Sequence, residues 1–347
     1  MGIKVLVVDD SATARAVITN ILQSDSEIES VDAAPDAYIA RDKIVKHKPD
    51  VICLDVEMPR MDGVTFLRKL MKHMPTPVVM VSSLTKKGAK TTLDALEAGA
   101  IDFVAKPHSN IYGGADEIRE ELLEKVKTAS RVHVYKRSHI LSDKQLSYRS
   151  SLSETTQKII AIGSSTGGVE ALKVFLTQFP RNTPGMIIVQ HMPSNFTKQF
   201  AERLNSICKM DVKEAEDGDT IKIGEVLIAP GDKHMAVRRS GHRYYVQLGG
   251  GEKVSGHRPS VDVLFNSVSQ AVGANAIGVI LTGMGSDGAK GLLNMLQTGS
   301  MTFGQDKKSS TVYGMPKVAY ETGAVKKQSS LEELPSEILK HLETIKI

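Results

Sequence analysis

The sequence predicts a two-domain α/β protein in which each domain is a mainly parallel sheet flanked by helices. Three observations lead there. The chain has 347 residues, too many for one ordinary core and suited to about two domains. Short apolar runs alternate with longer stretches whose apolar residues recur at helical spacing, the pattern of buried strands joined by crossover helices. That alternation fades once, over residues 131–157, into a polar, serine-rich and basic stretch that reads as a linker.

The bulk numbers exclude several classes. Hydrophobic residues make up 41% and charged residues 24%, the balance of a soluble globular protein. A net charge of +4 is small for this length, and it gives no support for nucleic acid or an anionic membrane as the main partner. Cys53 and Cys208 lie far apart, each in or beside an apolar run. They read as reduced core residues of a cytosolic protein, not as a disulfide framework or a zinc site. The chain opens directly into a strand without the basic and hydrophobic regions of a leader. No apolar run approaches the roughly 20 residues of a membrane span. A cytoplasmic protein is expected.

KVLVV (4–8) is a short strand that ends at Asp9-Asp10-Ser11, and ATARAVITNILQ (12–23) follows at helical spacing. The alternation repeats as IESVDAA (28–34) with DAYIARDKIVKHK (36–48), and as DVICLDV (50–56) with GVTFLRKLMKHM (63–74). PVVMVSS (77–83) leads into KKGAKTTLDALEAG (86–99), and IDFVAKP (101–107) into ADEIREELLEKVKTAS (115–130). Five strands each followed by a helix imply a parallel sheet covered on both sides, with ligands at the carboxyl ends of the strands.

Those ends carry Asp9, Asp10, Asp55, Ser82 and Lys106. A single aspartate after a strand is more often a cap or turn residue, but all five together are poorly explained that way. Three carboxylates in one place repel unless a cation joins them, and such an oxygen-rich site suits Mg²⁺. Lys106 offers a compact positive charge, and Ser82 a neutral donor, to phosphoryl oxygens. With VVDDS (7–11), CLDVEMPRMDG (53–63), MVSSLT (80–85) and FVAKP (103–107), residues 3–130 resemble a response-regulator receiver domain. The resemblance implies a flavodoxin-like five-stranded sheet over residues 1–130, with Asp55 as phosphoacceptor and Asp9 beside it. It also implies Mg²⁺ held by Asp10, Asp55 and the backbone carbonyl of Glu57. Ser82 would be the switch hydroxyl, Lys106 the phosphate-contacting lysine and Phe103 the aromatic that reorients. Phosphorylation adds up to about two negative charges and three acceptor oxygens, enough to reposition the Ser82 loop and Phe103.

The second domain, residues 158–347, begins with IIAIGSSTGG (159–168), a buried strand running into a glycine-rich turn, and VEALKVFLTQF (169–179) is the helix after it. Gly163 to Gly167 fits G-x-S-x-G, a sharp turn that exposes a serine hydroxyl near a helix N-terminus. A phosphate-binding connection fits the same residues equally well. GMIIVQHMP (185–193) is a strand ending in Gln190-His191, and FTKQFAERLNSIC (196–208) is a helix. Residues 211–231, 234–239 and 243–249 have β character and read as a β-rich insertion. SVDVLFNSVSQAVG (260–273) is a helix, AIGVILTG (276–283) a strand, and AKGLLNMLQTG (289–299) a helix after the loop GMGSDG (283–288). Residues 311–323 and 331–345 add helical material. The whole is a doubly wound α/β domain.

Three apolar strands thus end in Ser165, in His191 and at the loop holding Asp287. These are the types that serine hydrolysis needs: a nucleophile, an imidazole to take its proton and a carboxylate to orient the imidazole. His234 and His257 compete with His191 but lie in polar or insertion segments. The order Ser, His, Asp differs from the Ser, Asp, His order of α/β-hydrolases. GSSTGG (163–168), VQHMP (189–193), APGDKHM (229–235), HRPSVD (257–262) and TGMGSDGAKG (282–291) resemble the catalytic domain of chemotaxis protein-glutamate methylesterases, the CheB family. The resemblance implies Ser165 as nucleophile, His191 as general base and acid, Asp287 as orienting carboxylate and the Met284 backbone N–H as part of an oxyanion hole. Ser164 departs from the alanine usual in the family, so the choice of Ser165 rests on motif register.

The family implies a hydrolase, activated by phosphorylation, that demethylates glutamate methyl esters and deamidates specific glutamines of methyl-accepting chemotaxis receptors. It would use no cofactor for the esterase chemistry, and a chemotaxis histidine kinase would be its phosphodonor. A docked receiver domain could cover the shallow site that such a substrate requires. The rival is a response regulator with a non-catalytic output that binds a receptor or a nucleotide through GMGSDG. A DNA-binding output lacks a helix-turn-helix pattern, and a dinucleotide enzyme lacks G-x-G-x-x-G.

Overall fold

The alternation of apolar and amphipathic runs folds as two units, one within the first 139 residues and one in the remainder. The computed structural model describes residues 2–83, 85–106, 115–132, 134 and 158–344. The linker expected over residues 131–157 lies outside them except for residues 131, 132 and 134.

The first unit runs β1 (Ile3–Val8), α1 (Ala12–Gln23), β2 (Ile28–Ala34), α2 (Ala37–His47), β3 (Val51–Asp55), α3 (Gly63–His73), β4 (Val78–Ser82), α4 (Lys86–Glu97), β5 (Asp102–Ala105) and α5 (Ala115–Ser130). Helix starts are set by side chains. Ser11, Asp36, Asp62 and Thr85 each accept a hydrogen bond from a first-turn N–H of the helix that follows, satisfying donors a helix leaves open. Among the described residues the five strands form one parallel sheet in the order β2-β1-β3-β4-β5. Val7, Cys53, Val79, Val81 and Val104 build its core with Ile18, Leu22, Leu122 and Val126 from α1 and α5. The order brings the residues after β1, β3, β4 and β5 to one edge.

The second unit runs β6 (Ile159–Ser164), α6 (Gly168–Leu176), β7 (Gly185–Gln190), α7 (Ser194–Asn205), β8 (Asp211–Glu214), β9 (Glu225–Ile228), β10 (His234–Ser240), β11 (Arg243–Gly249), α8 (Val261–Ala271) and β12 (Ala276–Ile280). It continues through α9 (Ala289–Gln297), β13 (Met301–Gln305), α10 (Met315–Glu321), β14 (Lys327–Ser329) and α11 (Leu334–Thr344). Among the described residues the main sheet has seven parallel strands in the order β14-β13-β12-β6-β7-β9-β8. The chain begins at the centre of this sheet, builds outward through β7, and returns to the other side of β6 with β12.

Two features are finer than the sequence suggests. The β-rich insertion is narrower, because β8 and β9 belong to the main sheet. What remains is the antiparallel hairpin β10-β11, in register from His234 opposite Gly249 to Ser240 opposite Arg243. It is tied to α8 where the Val237 N–H donates to Ser267 Oγ at 2.8 Å. Beyond α9 the chain adds β13 and β14, which the periodicity does not announce. The segment after Lys326 is part of the fold: β14 pairs with β13, and α11 buries Leu334, Ile338, Leu339 and Leu342.

Candidate active site

β12, β6 and β7 are neighbours in the sheet, with Ile280 opposite Gly163 and Ser164 opposite Gln190. Ser165, His191 and the loop holding Asp287 therefore emerge side by side at the strands' carboxyl edge. The direction of sheet growth reverses there, which is where open α/β sheets form their ligand crevice. The serine turn is pinned across strands. The Leu281 N–H donates to Gly163 O at 2.9 Å and the Ser165 N–H to Thr282 O at 3.0 Å. Gly167 has φ +77°, the left-handed region that a side chain disfavours, and a Cβ there would lie 2.5 Å from Thr311 Cβ. The Gly168 N–H then closes the turn on Ser165 O at 2.7 Å.

The two adjacent serines differ. Ser164 is fully buried, and its hydroxyl donates to Gln190 Oε1 at 2.7 Å. Ser165 is partly exposed. The three histidines differ as well. His191 Nε2 lies 2.8 Å from Asp287 Oδ2. His234 is held by backbone instead, with Nε2 at 2.9 Å from Glu252 O and Nδ1 accepting from the Ser260 N–H at 3.2 Å. The His257 ring stacks on that of His191, centroids 3.8 Å apart and planes 19° apart. With Nε2 on the carboxylate, His191 Nδ1 is buried and has no hydrogen-bond partner among the described residues. It is the nitrogen left to take a proton.

Asp287 is buried and receives hydrogen bonds on both oxygens. Oδ1 accepts from Ser260 Oγ at 2.8 Å and the Asp262 N–H at 2.9 Å, and Oδ2 accepts from the Val261 N–H at 2.7 Å as well as from His191. These donors are the cap and first turn of α8, where free N–H groups favour an anion. Burial pushes its pKa up, but the hydrogen bond and charge of His191 and the α8 N–H groups outweigh it and hold the carboxyl below its usual range. It stays ionised.

Gly283 packs against the serine: a Cβ there would lie 2.9 Å from Ser165 Cβ. Its carbonyl accepts from the Gly314 and Met315 N–H groups at the start of α10, at 3.1 and 2.8 Å. Because a trans peptide sets N–H opposite C=O, the Met284 N–H is directed to the side away from α10.

In the first unit, Lys106 Nζ lies 2.7 Å from Asp9 Oδ2 and 2.8 Å from Asp55 Oδ2. Asp9 and Asp55 are buried and Asp10 is exposed, and the three offer carboxylate oxygens within 4.8 Å of one another. Burial, with the charge of Asp9, pushes the Asp55 pKa up to about 6 despite the Lys106 ammonium. A cluster of hard carboxylate oxygens this close together fits a small divalent cation. Glu57 is exposed, and its N–H donates to Asp55 Oδ1 at 3.2 Å. Ser82 is buried, with Oγ 2.6 Å from Thr92 Oγ1 of α4. Phe103 is buried too. Lys125 of α5 donates to its carbonyl at 2.6 Å and places Nζ 5.2 Å from its ring centroid.

The family profile described as CheB methylesterase matches residues 160–338, a span holding Ser165, His191 and Asp287. The chain belongs to the CheB methylesterase family. The profile of the response regulator receiver domain matches residues 5–112. A protein-glutamate methylesterase/protein-glutamine glutaminase of Sulfurimonas denitrificans is 64% identical over 331 residues, covering 94% of each chain. A protein of the same name from Salmonella typhimurium is 51% identical over 337 residues, covering 97% of this chain and 96% of its own. The crystal structure of the Thermotoga maritima CheB methylesterase catalytic domain is 37% identical with a TM-score of 0.53, covering 54% of this chain and 99% of that one. The protein is an enzyme of the CheB family, a methylesterase carrying a receiver domain at its N-terminal end.

Sequence reasoning passed over several residues at the CheB site. Gln190, Ser260 and Asp262 all bond directly to the segments holding Ser165, His191 and Asp287. The available signal was a polar residue at the end of an apolar strand, for Gln190. For Ser260 and Asp262 it was a helix cap two residues before an acid.

Proposed function

We propose that the chain hydrolyses glutamate methyl esters of methyl-accepting chemotaxis receptors in the cytoplasm, and deamidates specific receptor glutamines by the same chemistry. Ser165 Oγ attacks the γ-carbonyl carbon while His191 Nδ1 takes its proton, and Asp287 stabilises the imidazolium through Nε2. The Met284 N–H donates to the developing oxyanion. His191 then gives its proton to the departing methoxy oxygen, or to the amide nitrogen, so that methanol or ammonia leaves and an acyl group stays on Ser165. Water, deprotonated by His191, adds to the acyl carbon and releases glutamate and the free serine. The observation that carries this reading is the 2.8 Å bond from His191 Nε2 to a buried Asp287 beside the Ser165 turn.

The receiver domain gates this reaction. Asp55 accepts a phosphoryl group from a chemotaxis histidine kinase, with Asp9 beside it and Lys106 contacting the phosphoryl oxygens. Asp10, Asp55 and the Glu57 carbonyl would hold Mg²⁺, which when bound would supply positive charge to phosphoryl oxygens. Ser82 then turns toward the phosphate and Phe103 follows, and esterase turnover rises. The test is methanol release from methylated receptor membranes, with and without a small-molecule phosphodonor. Release accelerated by the phosphodonor is expected. Ser165→Ala should release none, and turnover by that variant would sink the mechanism. Asp55→Asn should release methanol at a rate indifferent to the phosphodonor, and a normal response would remove the gating claim.

A further inference from the structure

We infer that Gln190 is a positioning residue that sets the proposed nucleophile against its base, an inference that rests on the Ser165, His191 and Asp287 reading. Backbone pairing of β6 with β7 ends with the His191 N–H on Ser164 O at 3.2 Å. Beyond that link the two chains part, Ser165 toward α6 and His191 toward α7. The Gln190 side chain spans the gap. Its Nε2 donates to Ser165 O at 3.0 Å and to His191 O at 3.1 Å, while its Oε1 accepts from Ser164 Oγ at 2.7 Å. One buried amide thus holds the carbonyls of the two residues that must exchange a proton.

The amide has a single usable orientation. Both its protons meet acceptors, and the Ser164 hydroxyl fixes which end is oxygen; the reversed amide would set oxygen against two carbonyls. The turn leaves room for this bridge and nothing more. A Cβ on Gly168 would lie 2.0 Å from Gln190 Oε1 and 2.9 Å from Ser164 Cβ. Gln190 is itself 3% exposed and uncharged, so it acts through Ser165 and His191. Small displacements of a nucleophile from its base are costly, on the order of 100-fold for about 1 Å.

The experiment compares Gln190→Met, which fills the space without hydrogen bonds, with Gln190→Glu, which sets a carboxylate oxygen against the two carbonyls. Methanol release from methylated receptors gives kcat and KM, and phosphonylation of the serine by a fluorophosphonate reports its nucleophilicity directly. In both variants kcat is expected to fall on the order of 30- to 100-fold, with KM within about twofold and phosphonylation slowed in parallel. Ser164→Ala, which removes the one bond that fixes the amide's oxygen and leaves its two Nε2 bonds, keeps the test open if neither Gln190 variant folds. Its kcat should fall about fivefold, the effect of one hydrogen bond. Wild-type kcat in any folded variant, or a loss confined to KM, overturns the inference. Ser165→Ala measured alongside separates the two readings, because turnover by that variant removes the triad whatever the Gln190 variants do.

Discussion

Asp287 fills its carboxylate with hydrogen bonds from His191, Ser260, Val261 and Asp262. Its pKa is lower folded than unfolded. The stability it contributes is therefore present above the ordinary carboxylate range and lost only as pH falls through the lower folded value. An asparagine carries acceptors at one end only, so an NH₂ group would confront either the Val261 N–H and His191 or Ser260 and the Asp262 N–H. Asp287→Asn should lower kcat on the order of 10⁴-fold, by denying the imidazole its counter-charge and tautomer. It should also cost about 1–3 kcal/mol of stability. Methanol release and thermal melting check both, and a variant that melts normally with near-native turnover contradicts this account.

At the scale of elements, α8 and α9 cap each other. Asp287 precedes α9 and accepts from the first turn of α8, while Asp262 in that turn accepts from the Gly291 N–H of α9 at 2.7 Å. Burial, then the charge of Asp287, pushes the Asp262 pKa up against the N–H groups of α9. Stability from this group is thus full below its unfolded pKa and lost as pH rises through the raised folded value. Asp262→Asn keeps an acceptor for Gly291 without the charge, so at neutral pH it should melt no lower than wild type. Asp262→Ala removes the cap and should cost about 1–2 kcal/mol. Thermal melts of the two variants decide this, and equal losses would assign the effect to charge instead. This mutual cap was out of reach of the sequence, because it joins residues on two helices that periodicity treats separately. The helix starts of the first unit were legible because each carries its own cap, as Ser11 does for α1. β13 and β14 were not: MTFGQ carries only two large apolar residues though it is buried between β12 and β14, and the edge strand Lys327–Ser329 needs no apolar run. That Ser165, His191 and Asp287 follow apolar strands was readable in the sequence, and the Gln190 bridge was not, because two of its partners are backbone carbonyls that no residue type announces.

Across the whole molecule, both units set acids at the carboxyl edge of a parallel sheet, with opposite electrostatics. Asp287 is held ionised by His191 and then by helix N–H groups, whereas Asp55 is pushed up to about 6 by burial and Asp9. The sign for Asp55 is that of a raised group: its contribution is full below its unfolded value of 3.8 and lost as pH rises through about 6. The loss is on the order of 3 kcal/mol. Mg²⁺ should restore it, raising the melting temperature of the first unit more at pH 8 than at pH 5, as calorimetry of the full chain would show. An equal rise at both pH values would count against a carboxylate-held cation. The central place of β6 has a further consequence, one of timing. The Ser165 turn closes on Thr282, and its partner strand β12 arrives more than a hundred residues later in synthesis. Contacts this remote along the chain form late in folding. On the proposed mechanism, a nascent chain would hold Ser165 long before Asp287 and should hydrolyse no ester until β12 and the loop after it have been made.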